Sequence, residues 1–175
     1  MEQVVAAPTP AAGAGRTLAF EALYRGCRDD VYAYVAGLLG DRHAAEDVTA
    51  LAFERAYRRR RRFDPRRGSG RAWVFSIARN AALDELRRRK RTASLTADPE
   101  DAAASPQADD AEAAVRRAAL REALRRLDLR ERELVALRFF AGLSHAEIAT
   151  VLGISSSNAG TRLHRAVDKL RSEMR

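Results

Sequence analysis

Apolar residues recur every three or four positions along most of the chain, which predicts helices rather than strands. The first stripe runs over residues 20–38, long enough for a helix of about five turns. Gly40 ends this helix, and Asp41 is placed to cap the next one. The residues of the stripe are Phe20, Leu23, Tyr24, Cys27, Val31, Tyr34, Val35 and Leu38.

Two more helices are predicted in the first half of the chain. One spans residues 42–61, and the next spans residues 71–89. Between them, residues 63–70 contain one proline and two glycines and are predicted to form a loop. The three helices should pack into a compact domain whose C-terminal edge is basic. Their apolar faces carry Val48, Leu51, Ala52, Ala56 and Tyr57 in the second helix and Trp73, Val74, Ile77, Ala78, Ala81 and Leu86 in the third.

The second half of the chain shows a different arrangement, built from shorter helices. Leu120, Leu124 and Leu127 line the first of these. Two sequences, 128–131 and 144–147, have the form of capping boxes, in which an N-terminal side chain and a Glu three residues later satisfy the first backbone donors of a helix. A short helix then leads through a turn at residues 153–155 to a last helix from about Ser156. Its apolar face carries Ala159, Leu163, Val167 and Leu170.

These patterns predict an all-α protein of two small helical domains joined by a flexible acidic linker, with a helix-turn-helix in the C-terminal domain. Residues 1–17, rich in Ala, Pro and Gly, are expected to be a disordered leader rather than a signal peptide. The first domain would span 18–91 and the second 113–175. The linker, 92–112, contains two prolines and lacks a large apolar residue after Leu95.

Charge changes sign along the chain in blocks. The net charge of +8 divides into −4 over residues 1–54, +12 over 55–91, −6 over 92–115 and +6 over 116–175. A basic chain favours polyanions as partners, nucleic acid first and anionic membrane second. Alternating blocks are harder to explain by general solubility than an even distribution would be.

The segment 144–171 is typical of a helix-turn-helix, in which the second helix enters the major groove of DNA. Polar residues that pair with base edges and phosphates stand at the start of that helix. An ordinary helical hairpin with a solvated face is the alternative. The candidate DNA-binding residues are Ser156, Ser157, Asn158, Thr161, Arg162 and Arg165, and His164 could add a phosphate contact.

A second nucleic-acid signal lies in the strongly basic segment 55–91. Residues 58–62 are five consecutive arginines, and residues 87–91 are four arginines and a lysine. Aromatic residues stand between the two runs, and a basic groove with stacking side chains suits single-stranded nucleic acid. For Trp73 and Phe75 themselves, packing in the core is the better interpretation.

Other classes of function find little support. Cys27 is the only cysteine, is expected to be buried, and permits neither an intrachain disulfide nor a cysteine-based zinc cluster, which fits a cytoplasmic compartment. No run of 18 apolar residues predicts a membrane span. The three histidines are not spaced like the ligands of a metal site. The acidic residues that follow Ala45 near the start of the second helix are sufficiently explained by their favourable interaction with the helix dipole. No phosphate loop, nucleotide fingerprint or hydrolase motif is present, so we expect no catalytic residue, cofactor or metal.

Taken in order, three stretches of the sequence resemble the extracytoplasmic-function (ECF) group of bacterial RNA polymerase sigma factors. Residues 45–57 are similar to the polymerase-docking helix of that family. Residues 63–80, with Asp84, are similar to its promoter-melting loop and helix. Residues 137–166 are similar to its second DNA-binding domain. Three motifs in the family's order cover the chain from about Leu18 to Met174, interrupted only by the linker.

The resemblance implies a non-catalytic sigma factor that binds core RNA polymerase and directs promoter recognition. The first domain would dock on a coiled coil of the largest subunit through Glu46, Asp47, Phe53 and Arg55. It would hold and melt the minus-ten element through Phe63, Arg66, Arg67, Ser69, Arg71, Arg79 and Asn80. The second domain would read the minus-thirty-five element through Asn158, Thr161, Arg162 and Arg165. The acidic linker would follow the RNA-exit path, and an anti-sigma protein is a further partner that the family suggests.

Two departures and two rival functions accompany this resemblance. Ala50 and Leu51 stand where many members carry Gln and an acid, and Gly160 stands where a Lys is common in the recognition helix. Gly160 either permits a close backbone approach to DNA or weakens the helix, by about 1 kcal/mol relative to Ala. A stand-alone helix-turn-helix regulator would explain 113–175 but leave 63–80 without a role. A polymerase-independent single-strand or RNA-binding protein would explain 55–91 alone.

Overall fold

The structure, a computed structural model, describes residues 12–95 and 111–174. Seven α-helices occupy most of these ranges, and no strand occurs within them, which confirms the all-α prediction. The helices are α1 (Ala12–Leu39), α2 (Arg42–Arg59), α3 (Gly70–Leu95), α4 (Ala111–Arg126), α5 (Leu129–Val135), α6 (His145–Leu152) and α7 (Ser156–Glu173). Short 3-10 turns at Arg60–Arg62 and Pro65–Arg67 follow α2, and a π-helical turn at Ala136–Phe140 follows α5.

Two predicted segments without regular structure are shorter than expected. Helix α1 begins at Ala12, so the prediction of a disordered leader is wrong for residues 12–17, and residues 1–11 lie outside the described residues. Helix α3 continues to Leu95 and α4 begins at Ala111, so the predicted linker is helical at both ends, and its residues 96–110 lie outside the described part. None of these extensions contains proline, and each includes alanine, the best helix former, although residues 12–17 also carry two glycines.

Helices α1, α2 and α3 pack against one another, as predicted for the first domain. The stripe on α1 is buried from Cys27 to Leu38, and Phe75 of α3 lies fully buried against Tyr34 with their ring centroids 5.7 Å apart. Asp41 caps α2 by accepting a hydrogen bond from the backbone N–H of Ala44 (3.2 Å). This bond, together with an ion pair to Arg89 (2.8 Å), lowers the pKa of the Asp41 carboxyl against the opposing effect of burial.

The C-terminal domain is built from α5, α6 and α7, and α4 packs against α7. Both predicted capping boxes are present. Asp128 and Glu131 cap α5, and Ser144 and Glu147 cap α6, each pair with reciprocal backbone hydrogen bonds. Leu124 and Leu127 form a small separate core with Val135 and Ala166.

One feature of the core does not follow from the two-domain prediction. A single hydrophobic cluster runs from the first domain into the second, and it contains Phe75 of α3 together with Leu137, Leu143 and Ile148. Helix α3 packs on α6, and α1 packs on the π-helical turn. The two domains are therefore in direct apolar contact rather than joined by the linker alone.

Candidate nucleic-acid interface

Helix α7 has one buried and one exposed face along its first three turns. Ala159, Leu163 and Ala166 are buried against the rest of the domain. The six candidate DNA-binding residues stand on the other side of the helix, and all are exposed except Asn158, which is half-buried. This distribution leaves a polar face of about two turns available to a DNA groove. The six are Ser156, Ser157, Asn158, Thr161, Arg162 and Arg165.

The turn before α7 fixes the direction in which that face points. Gly153 ends α6 with φ of +66° and ψ of +36°, a left-handed conformation in which a Cβ would be strained. Ser155 then caps α7, its Oγ accepting a hydrogen bond from the N–H of Asn158 (3.2 Å). The local geometry is therefore consistent with the predicted helix-turn-helix: the capped helix α6 ends at a left-handed Gly153, and the capped helix α7 follows.

The loop between α2 and α3 exposes most of its basic residues. Asp64 caps the 3-10 turn Pro65–Arg67 through the N–H of Arg66 (3.0 Å). Phe63 is half-buried and lies against Trp73, with ring centroids 5.2 Å apart. The loop thus has an aromatic base formed by Phe63 and Trp73, and its guanidinium groups are exposed to solvent.

The two arginine runs differ in their electrostatic partners. The run at 87–91 is largely ion-paired, since Arg88 and Arg89 both contact Glu85 and Arg87 contacts Asp84. In the first run and the loop, five exposed arginines have no carboxylate within ion-pair distance among the described residues. Unpaired guanidinium groups so close in sequence repel one another unless an anion binds between them. They are Arg59, Arg61, Arg62, Arg66 and Arg67.

The remaining candidates for promoter melting are placed differently. Asn80 is exposed on α3. Ser69 caps α3, its Oγ accepting a hydrogen bond from the N–H of Ala72 (3.1 Å). Arg71 is paired with Asp30 (2.7 Å), and Arg79 is paired with Glu133 of the other domain. All seven predicted melting residues are therefore exposed or half-buried, and three of them, Ser69, Arg71 and Arg79, also make contacts with other protein groups.

The predicted polymerase-docking helix presents an exposed acidic and apolar face. Glu46, Asp47, Ala50 and Leu51 are exposed at helical spacing on α2. Arg55 is partly buried and contacts Asp84 (3.4 Å). The prediction that the Phe53 side chain forms part of this surface is wrong. Phe53 points into the core and is only 6% exposed, and it packs edge-to-face on Tyr24 with ring centroids 4.8 Å apart.

Sequence reasoning missed the role of two residues that lie between the domains. Glu133 is buried with a side chain 4% exposed, and it contacts Arg79 and the hydroxyl of Tyr34. Glu147 was assigned only to a capping box, yet it also accepts a hydrogen bond from Ser69 (3.0 Å). No periodic pattern distinguishes Glu133 from the other charged residues of α5, so the sequence offered no signal for its role.

Two further findings concern metals and membranes. Within the described residues, no group of three or more His, Cys, Asp or Glu side chains is arranged to hold a metal ion. None of the described helices is both long and apolar enough to cross a lipid bilayer.

Two family models match the chain in the order of its domains. The Sigma-70 region 2 model matches residues 23–92, and the Sigma-70 region 4 model matches residues 117–170. Helices α2 and α3 and the basic loop lie within the first match. The helix-turn-helix lies within the second. We refer to these two domains as region 2 and region 4 below.

Characterised relatives align along nearly the whole chain. The ECF RNA polymerase sigma factor SigL of Mycobacterium tuberculosis is 32% identical over 90% of this chain and 92% of its own length. The RNA polymerase sigma factor CarQ of Myxococcus xanthus is 36% identical, covering 87% of each chain. The ECF sigma factor BldN of Streptomyces coelicolor is 36% identical, and the alignment spans 61% of that longer protein.

Solved structures share the fold. The sigma factor RpoE of Bartonella quintana, in complex with the anti-sigma factor NepR, gives a TM-score of 0.73 at 22% identity, over 89% of this chain and 96% of that one. CnrH, in complex with the cytosolic domain of CnrY, gives 0.68 at 25% identity, over 92% of this chain and 90% of that one.

An all-helical pair of domains, one with a basic loop and one with a helix-turn-helix, defines a DNA-binding protein of the sigma type. This chain belongs to the ECF group of RNA polymerase sigma factors. Because both regions match in order, a stand-alone helix-turn-helix regulator and a single-strand-binding protein each account for only half of the chain.

Proposed function

We propose that this sigma factor acts as a non-catalytic specificity subunit of RNA polymerase in the cytoplasm. Region 2 docks on the core enzyme and binds the minus-ten element, and region 4 reads the minus-thirty-five element. Each region covers a small surface and binds weakly alone. Their linkage on one polymerase raises the effective concentration of the second contact once the first has formed.

The observation that carries this proposal is the group of five exposed arginines at positions 59, 61, 62, 66 and 67, for which residues 12–95 and 111–174 provide no carboxylate partner. Charge repulsion within this group is relieved when phosphates bind, and the release of counterions makes such binding depend on salt. The half-buried Phe63 beside Trp73 supplies an aromatic base against which an unpaired nucleobase can stack. Region 2 therefore has the two elements that single-stranded DNA requires.

Region 4 supplies base readout in this proposal. Asn158, Thr161, Arg162 and Arg165 follow one another on the solvent face of α7, whose N-terminal turns would enter the major groove. Arg162 has no carboxylate partner among the described residues, so its guanidinium is available for a bidentate contact with a guanine or a phosphate.

The contact with polymerase is proposed for the exposed face of α2. Glu46 and Asp47 provide negative charge, and the exposed Leu51 provides an apolar contact where the family resemblance implies an acid. Phe53 contributes to this contact only indirectly, because its buried side chain packs α2 against the core of region 2. An anti-sigma protein is proposed as a regulator, because the sigma factor RpoE, which shares this fold, was solved with one bound.

Run-off transcription with purified core polymerase, on a promoter and on a scrambled template, tests the proposal. We expect no promoter-specific transcript without this chain. Arg162→Ala should lower promoter selectivity by about 5- to 150-fold, equivalent to a base contact of about 1–3 kcal/mol. The matched control is Arg171→Ala, which removes an exposed arginine from the far end of the same helix. Equal losses on both templates for Arg162→Ala would exclude base reading.

A second variant tests the phosphate contacts of region 2. Arg59→Ala should weaken binding to all templates and reduce the slope of log affinity against log salt by about 1. Arg28→Ala is the control, because Arg28 is an exposed arginine of α1 outside the basic loop. A salt slope unchanged by Arg59→Ala would show that this arginine contacts no phosphate.

A further inference from the structure

A cleft with a volume of about 230 Å³ lies between regions 2 and 4. Arg79 of α3 lines it on the side of region 2, and residues of α5, α6 and α7 line it on the side of region 4. The promoter contacts proposed above use only Arg79 and Arg162 from this lining, and they give the cleft itself no role. Apolar walls with a few converging charged groups are typical of sites for small ligands.

The charged lining of the cleft has a net charge of +2. Arg79, Arg130 and Arg162 contribute three positive charges, and Glu133 contributes one negative charge. Glu133 is already paired, since it accepts hydrogen bonds from Nε and Nη2 of Arg79. Arg130 and Arg162 have no carboxylate partner within residues 12–95 and 111–174. Because two guanidinium groups at one cleft repel each other, an anion with two charges is favoured between them.

Glu133 holds Arg79 in place at the edge of this cleft. The side chain of Glu133 is 4% exposed, and its Oε1 also accepts a hydrogen bond from the hydroxyl of Tyr34 (3.4 Å). The pair engages Nε and Nη2 of Arg79, and Nη1 donates to no group in the part of the chain that the structure describes. An arginine held in this way loses less conformational entropy when its remaining donor binds an anion.

The rest of the lining is apolar and limits the size of a ligand. Leu134 is buried, and Leu152 and Ile154 are half-buried. Carbon atoms of a ligand placed against these side chains would be removed from water, which contributes about 25 cal/mol per Å². At ~30 Å³ for each water molecule, the cleft has room for roughly eight waters. That room suits a phosphate group with a short carbon chain rather than a drug-sized ligand, which needs about 300 Å³ or more.

We propose that the cleft binds a small organic phosphate, with the phosphate group between Arg130 and Arg162 and a short carbon chain against Leu152 and Ile154. A phosphate monoester carries about 1.5 to 2 negative charges at pH 7, which matches the net charge of the lining. Guanidinium groups bind phosphate oxygens through two parallel hydrogen bonds. A bound ligand would also compete with promoter DNA for Arg162; this consequence rests on the proposed function, whereas the binding itself does not.

Isothermal titration calorimetry of the full chain with propyl phosphate tests the proposal. At about 0.15 M salt, where attraction between exposed charges beyond ~8 Å is screened, we expect saturable binding at one site. Arg130→Ala should raise Kd at least fivefold. Arg130 is exposed and belongs to none of the proposed promoter contacts, so the variant should fold normally. Arg171→Ala is the matched control, because it removes an exposed arginine outside the cleft, and it should change Kd less than twofold.

Two related ligands separate the role of charge from that of the carbon chain. Propyl sulfate has nearly the shape of propyl phosphate but a single negative charge, and it should bind at least fivefold more weakly. Inorganic phosphate lacks the carbon chain and should also bind more weakly. Leu152→Ala should weaken the binding of propyl phosphate at least twofold and leave that of inorganic phosphate unchanged. Equal Kd values for propyl phosphate and propyl sulfate would overturn the match of charge. Equal values for propyl phosphate and inorganic phosphate would overturn the organic ligand in favour of free phosphate.

Protection from chemical modification locates the bound ligand. Phenylglyoxal reacts with accessible guanidinium groups, and mass spectrometry of peptides measures the modification of each arginine. Propyl phosphate should slow the modification of Arg130 and Arg162 at least threefold and leave the arginines at 59, 61, 62, 66 and 67 unaffected. Protection confined to those five arginines, or of no arginine, would overturn the proposal. Both measurements use the free chain, so a failure to direct initiation by core polymerase would refute the proposed function and leave this result standing.

Discussion

Gly160→Ala should stabilise the protein and leave DNA binding unchanged. Gly160 lies within α7 between the buried Ala159 and the exposed Thr161. A Cβ at this position would meet only His145, at 3.8 Å from Nδ1 and 3.9 Å from Cε1, which is ordinary van der Waals contact. Because the new methyl group would face α6, it should not interfere with DNA. The departure from the family pattern at this position then affects the helix rather than the DNA contact.

The expected magnitude follows from helix propensity. Replacing Gly by Ala in a helix interior gains about 0.8–1 kcal/mol. For a chain of this size that corresponds to a rise of about 2–4 °C in the unfolding midpoint. Thermal unfolding of the chain, followed by circular dichroism at 222 nm, measures the stability. Fluorescence anisotropy with duplex promoter DNA in the presence of core polymerase measures the DNA affinity, which we expect to change less than twofold.

Two other glycines provide matched controls. Gly26 is exposed in α1 with nothing within 4 Å of its Cβ position, so Gly26→Ala should give a similar stabilisation far from the recognition helix. Gly153 has φ of +66°, so Gly153→Ala should destabilise by about 1 kcal/mol. If the unfolding midpoint rises for Gly26→Ala but not for Gly160→Ala, then the Cβ at position 160 does not fit against His145 as we expect. A loss of DNA affinity of tenfold or more would instead show that the DNA approaches the backbone at Gly160.

Three more predictions concern acid, thiol chemistry and the core. Hydrogen bonds from Arg88, and then from Arg89, lower the pKa of Glu85 to about 2 against the opposing effect of burial. The ionised Glu85 therefore stabilises the folded protein fully above pH 4.5, the pKa in the unfolded chain, and this stabilisation is lost as pH falls from 4.5 towards 2. Glu85→Gln should therefore cost about 1–2 kcal/mol in urea unfolding at pH 7, after allowance for solvent screening, and close to nothing near pH 2. Burial raises the pKa of the Cys27 thiol to about 11. The thiol should therefore react with Ellman's reagent at pH 8 at least 100-fold more slowly in the folded protein than in 6 M guanidinium. Equal rates in the two states would contradict the burial of the thiol. Phe75→Ala should cost about 3–5 kcal/mol in urea unfolding, because its fully buried ring packs on Tyr34, and a loss below 1 kcal/mol would show that the core can collapse around the gap.

Residues whose role depends on near neighbours in the sequence were predicted well. The capping boxes at Ser144 and Asp128 and the turn at Gly153 each depend on a span of three or four residues. The exposure of Arg162 follows from its helical spacing relative to Leu163 and Ala159. Hydrophobic periodicity specifies which face of a helix is buried, and these assignments needed no knowledge of the partner helix.

Phe53 shows where the same reasoning reached its limit. It was assigned to the polymerase surface by resemblance, although the spacing of Val48, Ala52 and Ala56 on the same helix places its side chain near the buried face. The helix ends at Leu95 and Ala111 were also misplaced, because composition alone does not specify where the helix gives way to other structure.

The helices, their caps, the helix-turn-helix, the blocks of charge and the family resemblance could all be predicted from the amino-acid sequence, because each depends on residues close together in the chain. The contacts of Glu133 with Arg79 and Tyr34, and of Phe140 with Gly37, became visible only in the packed fold. These partners are separated by between 54 and 103 positions along the chain. Their contact depends on how whole helices pack, and packing of that kind is set by shape and burial over the entire core rather than by any local pattern.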